Sequence, residues 1–253
     1  MLKKIWAVYF SPTGGTRKAA LLLAKSMGEQ VMELDLLKEE DRRCMFSPED
    51  MVVVGAPVFG GRIPGLMADY LKEIKGQGAM AVTAAVYGNR AFEDALLELN
   101  DCLKAQGFQI LASAALLAEH SMAREVAAGR PDKADEDVIR GFGERILRKL
   151  EQGEKSAPLT PGDFPYREWK KMPFAPVASD ACTACGLCAR QCPVGAISTE
   201  DLKKADTDKC ILCMRCSAVC PAGARALPAP AREGISMKLL PVKGIRRENE
   251  LFL

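Results

Sequence analysis

Through residue 152, short apolar runs alternate with stretches whose apolar residues recur every three or four positions. Residues 5–10 read as a strand, and residues 16–28 as a helix with Ala20, Leu23, Ala24 and Met27 on one face. Residues 31–36 give a second strand. Residues 51–56 (Met-Val-Val-Val-Gly-Ala) form a continuous β-branched run, as expected of a strand covered on both faces. Residues 79–87 and 108–117 supply two more strands, and 65–75, 91–106 and 132–150 fit helices. Such alternation predicts an α/β fold, a five-stranded parallel sheet with helices on both sides, whose ligand sits beyond the C-terminal strand ends.

Beyond residue 152 the periodicity stops. Residues 153–178 carry Pro158, Pro161, Pro165, Pro173 and Pro176 and read as a strap or linker, with Tyr166 and Trp169 expected to pack. A cysteine-rich segment spans 179–230, and a mixed tail spans 231–253, its end docked by Leu251 and Phe252. The expected units are therefore 1–152, 153–178, 179–230 and 231–253. Hydrophobic content of 48%, charged content of 27% and net charge +2 are those of a globular chain and argue against a nucleic-acid partner. The basic start, residues 1–4, is followed by an apolar run too short for a signal peptide, and no membrane span is evident. A cytoplasmic location follows as an expectation.

That expectation changes the meaning of the ten cysteines, favouring thiolate metal ligands over disulfides. Cys44 and Cys102 stand alone and read as inert thiols. The other eight form two copies of C-x2-C-x2-C-x3-C-P, Cys182, Cys185, Cys188, Cys192 and Cys210, Cys213, Cys216, Cys220. This is the run that holds [4Fe–4S] clusters, in which the fourth cysteine of each copy serves the other cluster. Cys182, Cys185, Cys188 and Cys220 then hold one cluster, and Cys210, Cys213, Cys216 and Cys192 the second. A tetrahedral zinc site would leave the third cysteine of each copy without a use. The repeat resembles the bacterial two-cluster ferredoxins, and Pro-Val-Gly-Ala-Ile after Cys192 and Pro-Ala-Gly-Ala after Cys220 extend the likeness.

Between the first strand and helix lies Ser11-Pro-Thr13-Gly14-Gly15-Thr16. Helix N-terminal amides and hydroxyls there can hold a phosphate dianion, although the Gly-Lys-Ser/Thr ending of a nucleotide-hydrolysing loop is missing. A capped strand–turn–helix is the plainer alternative. The loop resembles the phosphate loop of flavodoxins, which implies FMN. Two further loops fall at C-terminal strand ends: Pro57-Val58-Phe59-Gly60-Gly61-Arg62 and Tyr87-Gly88-Asn89. By that resemblance Phe59 or Tyr87 stacks on the flavin, Gly60, Gly61 and Gly88 face its polar edge, and Arg62 supports charge on the reduced ring. Phe59 stands where flavodoxins commonly carry Trp or Tyr. The lone His120 either caps its loop or donates a proton to a substrate.

The whole order resembles the ferredoxins of anaerobic bacteria that carry an N-terminal flavodoxin-like half. The resemblance implies an electron carrier with FMN and two [4Fe–4S] clusters that serves a redox partner protein. Two alternatives stand beside it: a flavin-dependent reductase of a quinone or nitro compound with His120 or Tyr87 as proton donor, and a ferredoxin with a flavin-free docking half. A homo-oligomer is left open.

Overall fold

The computed structural model of the chain describes residues 3–253. Its first half alternates β1 (Lys4–Tyr9), α1 (Gly15–Lys25), β2 (Val31–Asp35), β3 (Asp50–Pro57), α2 (Gly65–Leu71), β4 (Met80–Tyr87), α3 (Ala95–Ala105), β5 (Gln109–Leu117) and α4 (Lys133–Glu151). The sheet order is β2-β1-β3-β4-β5, all parallel, so the chain reverses direction of travel at β1. Every residue of β3 and β4 is buried, as the unbroken apolar runs demand.

Two hydrophobic layers sandwich the sheet. On one face Leu71 of α2 and Leu96, Leu99 and Leu103 of α3 meet Val52, Val54 and Ala81. On the other, Leu23 and Ala24 of α1 and Ile139, Phe142 and Ile146 of α4 meet Val53, Val82 and Ala114. Helix α1 lies close to the sheet because Gly55 has no side chain. A Cβ there would stand 2.9 Å from that of Ala20. Helix α4 is started by a capping box in which the carboxylates of Asp132 and Asp135 each accept from the other's backbone amide.

The tail adds what the periodicity did not reveal. Strand β8 (Glu250–Phe252) joins the outer edge of β5 antiparallel, making six strands of which five are parallel. Its side chains alternate, with Leu251 in one hydrophobic layer and Phe252 in the other. An edge strand three residues long carries too little pattern to be seen in sequence. Asn249 holds it in register: its Oδ1 accepts from the Leu117 amide at 2.8 Å, and its Nδ2 donates to Asp135 at 2.9 Å.

Residues 152–176 form no regular element but are tied down. The carboxylate of Asp94 accepts the amides of Asp163 (2.9 Å) and Arg167 (2.7 Å), and the Tyr166 hydroxyl donates to Asp101 at 2.7 Å. The cysteine-rich segment follows, with β6 (Val177–Ala178), α5 (Leu187–Arg190), α6 (Arg215–Ala218) and β7 (Arg225–Ala226), β6 and β7 pairing antiparallel. Helix α7 (Ala229–Lys243) was not expected. Pro230 in its first turn and Pro241 within it hid a short apolar stripe. Ile235 and Leu239 of that stripe close a third cluster with Val126, Leu212 and Met214.

Candidate cofactor cleft and metal centres

The turn after β1 is shaped before it binds anything. Gly14 takes a φ of 94°, and no side chain caps the start of α1 at this position. Ser11 is buried and its Oγ accepts the amide of Arg17 at 2.9 Å, which leaves the earlier amides of the helix start facing outward. The two cations that follow are drawn away: Arg17 pairs with Glu33, and Lys18 Nζ donates to the Pro131 carbonyl at 2.6 Å. Pro12, Thr13, Gly15 and Thr16 line one end of a cleft of about 400 Å³. An anion at this end meets amides, hydroxyls and the positive end of the helix dipole.

The same cleft runs past the other two loops. Pro57, Val58, Phe59, Gly60 and Gly61 form one wall, and Tyr87 and Gly88 another. Gly60 and Gly61 both have positive φ (61° and 89°) in a turn closed by the Phe59 amide on the Arg62 carbonyl at 2.8 Å. Gly88 is required by space, since a Cβ would stand 2.6 to 2.8 Å from His120. Tyr87 is buried, and burial raises its phenol pKa.

Four of the named residues serve the frame instead of the cavity wall. Ser11 and Gly14 shape the first loop. Arg62 turns away, its guanidinium forked onto Glu98 (2.6 and 2.7 Å) and donating to the Arg167 carbonyl at 2.7 Å, so it fastens the strap. Asn89 is buried with a φ of 64°, and its Nδ2 donates to the carbonyls of Val242 and Ile245, both at 2.8 Å. His120 lines the cleft, but its Nδ1 accepts the amides of Met122 and Ala123 at 3.3 Å. Burial, with the nearby charge of Arg90, holds its pKa below the usual imidazole value, so the ring is neutral at pH 7 and caps its loop.

The remaining wall comes from residues that sequence reasoning did not place. Trp169 and Met172 of the strap, Leu212 and Cys213 of the cysteine segment, and Lys238 of α7 all face the cleft. Arg215 donates from Nη1 to the carbonyl of Pro12 at 3.2 Å. No local pattern marks these residues, because each reaches the cleft only through the packing of distant segments. Cys44 and Cys102 lie outside it, half-buried beside the first hydrophobic layer, and burial pushes the Cys102 thiol up to about 11.

The eight clustered cysteines separate into two groups. Cys182, Cys185, Cys188 and Cys220 line one cavity. Cys192, Cys210 and Cys216 surround Cys213 closely enough for their charges to raise its pKa, although burial is the larger cause and takes it to about 12. Burial likewise lifts Cys216 to about 11, with the charge of Arg225 opposing the rise. Bare thiolates are therefore disfavoured here, and coordination to a soft metal would stabilise them. Backbone amides already point at sulfur: Ala196 to Cys192 (3.2 Å), Ala224 to Cys220 (3.3 Å) and Leu212 to Cys210 (3.4 Å). An all-sulfur donor set with amide support fits iron–sulfur clusters.

Comparison with known proteins agrees with both halves. Residues 7–92 match the family described as flavodoxin domain, and residues 181–224 match the 4Fe-4S dicluster domain. The chain joins a flavodoxin domain to a 4Fe-4S dicluster domain. Among solved structures it is similar to the rubredoxin oxygen:oxidoreductase of Desulfovibrio gigas, at 21% identity and a TM-score of 0.42. That match covers 59% of this chain but only 36% of the other. It is also similar to a flavodoxin of Streptococcus pneumonia (16% identity, TM-score 0.43, covering 58% of this chain and 99% of that one). Flavodoxin 1 of Bacillus cereus stands at 16% identity and a TM-score of 0.41, covering 58% and 98%. No curated protein matches the chain.

The two domains meet at the cleft. Cys213 belongs to the dicluster domain and lines the cavity of the flavodoxin domain, which makes its quartet the near one. The quartet of Cys182, Cys185, Cys188 and Cys220 is the far one, and Cys185 in it is exposed. The cavity volume lies in the range of small-molecule cofactor sites. With a phosphate-accepting loop at one end and Phe59 and Trp169 along it, the cleft suits FMN. Among the described residues, no helix is long and apolar enough to cross a membrane.

Proposed function

We propose that this chain is a cytoplasmic electron-transfer iron–sulfur flavoprotein that exchanges electrons between FMN, two [4Fe–4S] clusters and a redox partner protein. The observation that carries this reading is the position of Cys213, which sits among the near cysteines and also lines the cleft of the flavodoxin domain. FMN when bound exchanges one or two electrons and a [4Fe–4S] cluster exchanges one, so the pair matches two-electron to one-electron chemistry.

The chain's own residues bind, orient and insulate. The amides and hydroxyls of Thr13, Gly15 and Thr16 hold the phosphate without a neutralising lysine, which suits a group that is anchored and not transferred. Phe59 and Trp169 offer flat apolar surface to the ring system. Met172, Leu212 and Leu239 give the cleft an apolar lining beside Cys213. The far quartet, with Cys185 at the surface, is the exchange point for the partner.

A carrier is favoured over a small-molecule reductase because His120 has its Nδ1 committed to two backbone amides and its charged form disfavoured. It is a poor proton donor at pH 7. Anaerobic purification, flavin extraction and iron quantification test the reading. About one FMN and about eight iron atoms per chain are expected. Protein that takes up no flavin after reconstitution would leave only the flavin-free docking role, and zinc in place of iron would remove the cluster assignment.

A further inference from the structure

The two cysteine repeats correspond position by position. Cys182 and Cys210 stand 28 residues apart, as do Cys192 and Cys220. Ala184 and Leu212 share a φ of 54°, and the amides of Ala196 and Ala224 donate to the sulfurs of Cys192 and Cys220 at nearly equal distances. The next position breaks the correspondence. In the first copy it is Ile197, 5% exposed, and in the second it is Arg225, 3% exposed. An apolar side chain is the ordinary occupant of such a place. A buried guanidinium is costly unless an anion compensates it.

Among the described residues, no carboxylate supplies that anion. Arg225 donates from Nη1 to the Pro176 carbonyl at 2.8 Å and from Nη2 to the Leu202 carbonyl, while its Nε is buried without a partner. Carbonyl dipoles fix the direction of the charge and do not cancel it. The side chain lines the cavity ringed by Cys182, Cys185, Cys188 and Cys220. The unmatched cation and the four far cysteines thus line one cavity.

We propose that Arg225 is the internal counter-charge of the far centre and raises its reduction potential. This rests on the reading of that quartet as the ligands of a [4Fe–4S] cluster. A cluster held by four thiolates is an anion in both oxidation states. One electron taken from a reductant adds one negative charge, with no bond broken and no proton required. A fixed positive charge beside the cluster stabilises the reduced form more than the oxidised form, so the electron binds more readily. Ile197, at the matching place of the first copy, brings no charge, so the near centre has no counterpart of its own and feels what Arg225 extends to Cys210 and Cys216.

The test is an EPR-monitored redox titration of the full, cluster-loaded chain in the Arg225→Gln and Arg225→Lys variants, with iron content measured first. Gln keeps a donor for a carbonyl and loses the charge, whereas Lys keeps the charge. At a fixed potential the Gln variant is expected to show about a tenfold lower ratio of reduced to oxidised centre, 59 mV for a one-electron couple. The Lys variant should recover most of that ratio. Should the Gln protein fail to load iron, Arg225→Met takes its place with the same expectation. A neutral variant with an unchanged ratio, or a Lys variant that falls as far as the neutral one, would overturn the proposal and leave Arg225 a structural tie between Pro176 and Leu202. Failure of the cluster reading looks different, since the unsubstituted protein would then lack iron and any cluster signal.

Discussion

Arg215, set between two cysteines of the near quartet, donates a hydrogen bond to the carbonyl oxygen of Pro12 in the phosphate loop, 3.2 Å away. One side chain thus joins the dicluster domain to the loop proposed to hold the flavin's phosphate. It also brings positive charge toward a loop from which Arg17 and Lys18 are drawn away. Arg215→Ala should weaken FMN binding about five- to tenfold, in line with about 1 kcal/mol for a partly solvated charged hydrogen bond. Fluorescence quenching during flavin titration measures it, and unchanged affinity would show that the contact only decorates the domain boundary.

The tail is expected to be structural. In Asn249→Ala the Leu117 amide loses its acceptor and strand β8 loses its register. The cost should be about 1–3 kcal/mol, and Tm should fall by about 2–4 °C for each kcal/mol. Thermal unfolding followed by circular dichroism reads this directly. A Tm equal to that of the unsubstituted protein would mean that β8 is held by Leu251 and Phe252 alone.

The parallel sheet and the two cysteine repeats were legible in sequence for one physical reason: each is encoded by local spacing. Buried strands need unbroken apolar runs, and a cubane needs three thiols on one turn of chain. The roles of Arg62 and Asn89 were not legible. Both occupy loops at the C-terminal strand ends, yet Arg62 is captured by Glu98 and Asn89 by the end of α7. Trp169, Cys213 and Arg215 reach the cleft only through tertiary packing, which no window of the sequence contains. Helix α7 was hidden by its own prolines.

All four tyrosines are displaced to higher pKa. Burial is the largest cause at each, and hydrogen bonds to Glu33 and Asp101 add to it at Tyr9 and Tyr166. Tyr9 is raised to about 12. A phenol whose folded pKa lies above its unfolded value of 10 contributes stability that is complete below pH 10. That contribution is lost as pH rises through the folded value. Difference absorbance near 295 nm should therefore show little tyrosinate at pH 10 and a cooperative rise above it. Ordinary titration of even one tyrosine at pH 10 would contradict the packing of that residue.

Crossed ligation gives an asymmetric expectation for substitutions. Cys220 ends the second repeat in sequence but lines the cavity with Cys182, Cys185 and Cys188 of the first. Cys220→Ala should disturb the far centre and spare the near one, whereas Cys192→Ala should do the reverse, because Cys192 stands among Cys210, Cys213 and Cys216. Iron loss of about half in each variant, with different EPR signals surviving, is the expected result. The same surviving signal in both would refute the pairing.

Electron exchange between the flavin cleft and the near quartet inside a single chain is tested most directly by rapid photoreduction of the loaded protein with limiting reductant. Absorbance is followed at flavin and iron–sulfur wavelengths over a range of protein concentrations. If Cys213 bridges the two sites, redistribution between them proceeds at a rate independent of protein concentration. A rate proportional to concentration, or a flavin signal that never responds to the clusters, would contradict it.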